Sequence, residues 1–167
     1  GGSHGTVQSQ TQAGAVYVVD SNNHRVQQFS GSGTFIDTWG GAGAGPGMFN
    51  RPNGIALAPD GTLYIADTDN HRIQHFTASG DFIDTWGGAG AGPGMFNKPA
   101  GVAVAPDGTV YVADTFNHRV QFFGPRGEYL GEWGAVSAGP GLFNRPTTVS
   151  VAPDRTVYVV DSGNSRI

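Results

Sequence analysis

The sequence predicts an all-β chain assembled from repeated four-stranded antiparallel units. Three observations predict it: a 47-residue internal repeat, short strand-like runs broken by turn residues, and a composition rich in glycine and poor in charge. Asp20, Asp67, Asp114 and Asp161 stand 47 residues apart, as do Trp39, Trp86 and Trp133, and as do Arg25, Arg72, Arg119 and Arg166. The segment FIDTWGGAGAGPGMFN occurs unchanged at 35–50 and at 82–97. Glycine supplies 28 of 167 residues and charged residues 13 %, against about 7 % and about 25 % in ordinary soluble domains. That balance excludes a charged helical bundle. Recurrent aliphatic and aromatic residues with a net charge of only -4 argue against disorder.

The second unit shows how each element arises. Gly54 to Ala58 alternates Ile55 and Leu57 with Ala56 and Ala58, which suits a strand packed closely on both faces. Pro59-Asp60-Gly61-Thr62 forms a turn, because proline presets one backbone angle and glycine accepts positive φ. Leu63 to Ala66 is the second strand, Asp67 to His71 the next turn, and Arg72 to Phe76 the third strand. Ala78 to Asp81 turns the chain into a fourth strand, Phe82 to Trp86, and the glycine-rich segment 87–99 leads to the next unit. Four antiparallel strands at this period are the signature of a β-propeller blade.

The repeated motif reads P-x-G-[IV]-A-[LV]-A-P-D-G-T-[LV]-Y-[IV]-A-D-T-x-N-H-R-[IV]-Q-x-F, followed by W-G and G-x-G-P-G-x-F-N. It resembles the NHL repeat, with the triplet written Asn-His-Arg at Asn23-His24-Arg25 and in the two following units. The resemblance covers residues 15–167 and implies a propeller that usually closes with six blades.

Along the chain the repeat divides into a partial blade at 15–39, full blades at 52–86 and 99–133, and a partial blade at 146–167. Counted from Ala15 this gives 13 strands, about 3.25 blades, which is an incomplete ring. Residues 1–14 read as a tail or linker rather than as a degenerate innermost strand. A shift of 47 places Gln8 and Gln10 where Ile55 and Leu57 stand, and burying unpaired amides costs about 1–3 kcal/mol each. The same N-terminal stretch shows neither the basic nor the apolar region of a secretory leader.

Several chemistries are excluded by residue type. With no cysteine there are no disulfides, thiolate metal sites or cysteine nucleophiles. No apolar run is long enough for a membrane span. The glycine-rich GGAGAGPG lacks a following Lys-Ser or Lys-Thr and is a connection between blades rather than a phosphate loop. Its neighbours Met48, Phe49, Met95, Phe96, Leu142 and Phe143 are expected to plug the gaps between blades. No G-x-S-x-G elbow and no single Ser-His-Asp set stands out from the repeats.

Asp20, Arg25, Asp67, Arg72, Asp114 and Arg119 recur in register, and a catalytic group is needed only once. They are therefore expected to be structural: Asp ends the second strand, Asn takes the tight-turn conformation, and Arg pairs with the carboxylate or with carbonyls of the turn. Asp67 and Asp69 begin like a calcium loop but lack its later glycine and glutamate. His24, His71 and His118 form one row, too widely spaced for metal bonds of about 2.1 Å. No metal or other cofactor is expected, although NHL-type lyases place a metal near the axis.

Antiparallel order puts the linkers and the second-to-third-strand turns on one side of the disk. Candidate contact residues there are those that vary between units, Asn22, Asp69, Phe116 and Gly163, together with the basic row Arg51, Lys98 and Arg145. The expected function is a non-enzymatic scaffold that binds a protein, peptide or glycan, or that self-assembles through its incomplete blades. The expected assembly is a dimer completing a six-bladed ring, or else an open filament. RNA binding, which the family resemblance allows, is disfavoured by nine basic residues against 13 acidic ones. A propeller-type lyase or hydrolase fragment is the second alternative, and the resemblance leans weakly to an extracellular or surface setting.

Overall fold

In the computed structural model the described residues are 9–12 and 14–167. They form 14 strands in three four-stranded antiparallel sheets and one two-stranded sheet, with no closed ring. Blade I comprises β1 (Ser9–Gln12), β2 (Ala15–Asp20), β3 (Arg25–Ser30) and β4 (Phe35–Gly40). Blade II comprises β5 (Ile55–Leu57), β6 (Leu63–Asp67), β7 (Arg72–Phe76) and β8 (Phe82–Gly87). Blade III comprises β9 (Pro99–Val104), β10 (Val110–Asp114), β11 (Arg119–Phe123) and β12 (Tyr129–Trp133). Blade IV holds only β13 (Pro146–Val151) and β14 (Val157–Asp161). The first strand of each blade lies beside the first strand of the next, so these strands line the axis.

Blade I corrects the expected boundary. Residues 9–12 pair with β2 as a fourth strand rather than belonging to a tail, which raises the count from 13 strands to 14. The reason is a tighter hairpin. Thr11 pairs with Val16 with four residues between them, whereas Leu57 pairs with Leu63, the counterpart of Val16, with five between. The shorter turn moves the register by one residue, so Ser9 and Thr11, not Gln8 and Gln10, occupy the ladder positions of Ile55 and Leu57. Residues 1–8, which carried the rest of the tail expectation, lie outside the described residues.

Packing runs between blades rather than within them. One buried cluster joins Tyr17, Val19 and Val26 of blade I to Ile55, Ile65 and Phe76 of blade II. A second joins Tyr64, Ala66 and Ile73 to Val102, Val112 and Phe123. A smaller third joins Val120 to Val149 and Val159. The linker phenylalanines Phe49 and Phe96 are fully buried between blades. Met48 and Met95, expected to share that role, are more than a third exposed, because each lies over the glycines of its own linker. On the opposite side of the disk the Tyr17 and Tyr64 hydroxyls donate to the Ala78 and Pro125 carbonyls of the next blade's third turn.

Each turn after a second strand is a single turn of 3-10 helix, as in Thr68–Asn70. Here too an expectation is corrected: the left-handed residue is the histidine, not the asparagine. His24, His71 and His118 sit at φ near +55°, and Ser165 takes the same place in blade IV. The asparagine side chain is committed elsewhere.

Candidate functional site

The repeated polar residues gather around each linker. Asp67 ends β6 fully buried, and its Oδ1 accepts the Asn50 backbone N–H at 2.7 Å. Its Oδ2 accepts from Asn70 Nδ2, Arg72 Nε and Gln74 Nε2 at 2.9, 2.8 and 3.0 Å. These donors reach onward to the linker from blade I: Asn70 to the Gly43 carbonyl, Arg72 to Ala44, Gly45 and Met48, and Gln74 to Met48. Glycine-rich linkers leave their carbonyls accessible, and the guanidinium fork collects several of them at once.

Blade III repeats the set with Asp114, Asn117, Arg119 and Gln121, and there Arg119 also pairs with Glu132 at 2.8 Å. In blade IV, Asp161, Asn164 and Arg166 hold the third linker. Arginine thus pairs with the expected carboxylate, but the carbonyls it binds belong to the linker, not to its own turn. In blade I the Asp20–Arg25 pair forms at 2.9 Å with 40 % of the arginine side chain exposed. Among the described residues no linker carbonyl meets it.

Histidine completes the arrangement from the other side. The Nδ1 atoms of His24, His71 and His118 accept the backbone N–H groups of Arg51, Lys98 and Arg145 at 3.0, 3.2 and 3.2 Å. An accepting Nδ1 carries no proton, so each ring nitrogen of this row facing the linker is engaged. Among the described residues no group of three or more His, Asp or Glu is placed to hold a metal ion.

The variable positions stand on this linker face. Asp69 and Phe116 donate their backbone N–H to the Asn50 and Asn97 carbonyls, which fixes the backbone and leaves the side chain to differ. Each is matched with the basic residue of the following linker. Lys98 Nζ lies 3.2 Å from Asp69 Oδ1, and the Arg145 guanidinium lies 5.0 Å over the Phe116 ring. Phe116 is 43 % exposed. Asn22 and Arg51 are both exposed, without such a pair among the described residues. The expected positive row is therefore neutralised at Lys98 and partly covered at Arg145.

One cluster was not singled out from the sequence. His75 is buried, its ring stacked on Tyr64 at 4.2 Å, with Nε2 2.8 Å from Thr62 Oγ1 and Nδ1 3.3 Å from Asp84 Oδ1. Thr62 Oγ1 donates to Asp60 Oδ1 at 2.7 Å. A nucleophilic hydroxyl must instead donate to the imidazole, so Thr62 is not poised for attack, and the approach of Nδ1 to Asp84 Oδ1 closes no hydrogen bond. Burial, with the Asp60 charge nearby, pushes the Tyr64 hydroxyl up to about 12. The available signal was that Gln28 and Phe122 replace His75 in the neighbouring units.

The NHL repeat model matches residues 9–29, 49–76, 96–123 and 143–167, more than half of the chain. The chain belongs to the NHL-repeat family. Among solved structures, this NHL chain is similar to an H270A virginiamycin B lyase from Staphylococcus aureus with quinupristin, at 18 % identity and a TM-score of 0.70. That match covers 95 % of this chain and 48 % of the other. A streptogramin B lyase matches at 16 % identity and 0.68, over 92 % and 47 % of the two chains. The WD40 repeats of RRP9 match at 13 % and 0.64, over 87 % and 47 %. At these identities the likeness is one of fold, and the NHL chain spans about half the length of each.

Proposed function

We propose that this NHL segment is a non-enzymatic scaffold that presents its linker face to a protein, peptide or glycan and joins further blades through its open flanks. The division of labour among its polar residues carries the reading. The recurring histidines, and the Asp, Asn and Arg of blades II to IV, are engaged in holding linkers, while the side chains that differ from blade to blade, at Asn22, Asp69 and Phe116, stand on the same face beside Arg51, Lys98 and Arg145. An exposed aromatic carrying a guanidinium is the sort of anchor that dominates binding surfaces.

The lyases among the similar structures support the enzymatic alternative by fold analogy alone. The RNA alternative draws on the basic row, in which Lys98 is paired with Asp69. Selection against a peptide-display library and a glycan array tests the scaffold reading. A ligand selected by the wild type is expected to be lost by Phe116→Ala/Arg145→Ala at unchanged melting temperature. Retention of that ligand by the double variant overturns the assignment of the face, and salt-sensitive retention on poly(U) moves the reading to RNA.

A further inference from the structure

We propose that the pocket between the first turns of blades II and III, on the side of the disk away from the linkers, receives an arginine side chain of a partner protein, with Asp60 as its counter-ion. The site is separate from the linker face and does not rest on it.

The pocket lies between two complete four-stranded blades. It has a volume of about 200 Å³ and is walled by Pro59 and Asp60 of the β5–β6 turn, Pro106 and Gly108 of the β9–β10 turn, Pro125 of the β11–β12 turn, and Tyr64. Small-molecule sites measure about 300–1,000 Å³, so this one suits a single side chain. Its walls are mostly apolar and stiff. The prolines have a fixed φ, and Tyr64 is held by stacking on His75 at 4.2 Å and by donating its hydroxyl to the Pro125 carbonyl at 2.8 Å. Such walls match the aliphatic stem of a long cationic side chain, whose charged head then needs an acid beside it.

Asp60 supplies that acid. Its Oδ1 accepts the Thr62 backbone N–H and hydroxyl at 3.0 and 2.7 Å, while its Oδ2 accepts no hydrogen bond among the described residues. The bonds from Thr62 hold the carboxyl below its ordinary value, so it is charged at neutral pH. Negative charge converges on the pocket from more than one element. Asp60, Asp84 and Glu128 each add to the burial that pushes the Tyr64 hydroxyl up. The nearby Arg126 gives its backbone N–H to Glu128 Oε2, and its guanidinium pairs with no carboxylate among the described residues.

The chain itself displays what answers such a carboxylate. Asp107 is the counterpart of Asp60 one repeat on, and its Oδ2 lies 3.2 Å from Arg155 Nη1 in the first turn of the following blade. The two turns read Pro106-Asp107-Gly108-Thr109 and Pro153-Asp154-Arg155-Thr156, so Arg155 stands at the position of Gly108. Blade IV thus reaches back with an arginine to the aspartate before it, whereas blade III offers Asp60 only a glycine. At the boundary between blades I and II the acid is missing instead, because Gln12-Ala13-Gly14 carries no carboxylate. Only between blades II and III does an aspartate face a glycine. A guanidinium fits better than an ammonium, since it is the less strongly hydrated cation and lies flat against apolar and aromatic walls.

Short peptides displayed with a central arginine and random flanks, selected on the wild-type chain, test the pocket. Selected peptides are expected to weaken about tenfold or more when their arginine is replaced by citrulline, its neutral isostere, and equally on Asp60→Asn, which keeps the oxygen that Thr62 uses. Gly108→Arg copies the Arg155 arrangement into this pocket and is expected to block the peptides. A Cβ there would meet Pro125 Cγ at 3.3 Å, so its melting temperature is measured and Asp60→Asn decides where it fails to fold. Phe116→Ala/Arg145→Ala is expected to leave this binding unchanged. Peptides that bind Asp60→Asn as tightly as wild type, that tolerate citrulline, or that are lost with Phe116 and Arg145 overturn the proposal, as does a selection that enriches no peptide sensitive to Asp60→Asn.

Discussion

His71 Nδ1 accepts the Lys98 backbone N–H at 3.2 Å, so the histidine of one blade holds the residue that opens the next. Asp67 and Arg72 of the same turn hold the linker arriving from the blade before. A single turn thus grips both neighbours, and its substitutions should be read as changes to blade–blade contacts.

Arg72→Ala is expected to destabilise the chain by about 1.5–3 kcal/mol, the scale for losing charge-assisted hydrogen bonds that leave a buried carboxylate behind. Arg25→Ala, at a pair open to solvent, should cost about 0–1 kcal/mol. Urea denaturation of the two variants measures the difference. Equal losses would contradict the linker-holding role of Arg72, and neither variant is expected to change ligand affinity.

The His75–Asp84 pair occupies the same ladder position as Gln28–Asp37 and Phe122–Gly131. Gly131 exists there because a Cβ would strike the Phe122 ring at 2.6 Å. His75→Phe alone is therefore expected to cost about 1–3 kcal/mol, and adding Asp84→Gly should recover most of it. A double-mutant cycle that shows the two changes to be additive would refute this coupling.

Gly80 holds φ +84° with the Trp39 ring 2.6 Å from where a Cβ would be, while Gly94 holds φ +74° over open space. Both alanine variants bear the left-handed strain, but Gly80→Ala also forces the indole aside. It is expected to be less stable than Gly94→Ala by about 1–3 kcal/mol, and the tryptophan emission of Gly80→Ala should shift as Trp39 is displaced.

The response to pH follows from two kinds of group. Burial pushes the Asp161 carboxyl up, but hydrogen bonds from Asn144, Asn164 and Arg166 outweigh it and leave the group below its ordinary value. Asp20 is lowered in the same way, its burial outweighed by Asn23 and Arg25. A lowered carboxyl contributes stability above the unfolded value of about 4 and loses it as pH falls through the folded one. Tyr64, raised to about 12 by burial, contributes stability below about 10 and loses it as pH climbs toward 12. Melting temperatures should hold from about pH 6 to about pH 9 and fall on both sides.

Much of the fold was legible because a repeat averages out local ambiguity. Asp67 and Arg72 could be assigned to structure before their partners were known, since groups needed in every blade are seldom catalytic. What those residues hold was not legible, because Arg72 meets Ala44, Gly45 and Met48 across a blade boundary that spacing alone does not reveal. β1 was misread for a related reason: its polar residues match no other first strand, and the hairpin that shifts its register is one residue short. The His75 cluster was hidden by the same strength of the repeat, which draws attention to what recurs and away from one substitution in one blade.

The linker sockets have a bearing on how such an array can lengthen. Among the described residues each glycine-rich connection is gripped by the two blades it joins, and each of the two full blades brings both a latch for the connection behind it and a histidine for the one ahead. Duplicating one unit in the gene therefore inserts a ready-made joint on either side and asks nothing new of distant residues. The unchanged stretch shared by 35–50 and 82–97 is what growth by such copying would leave behind.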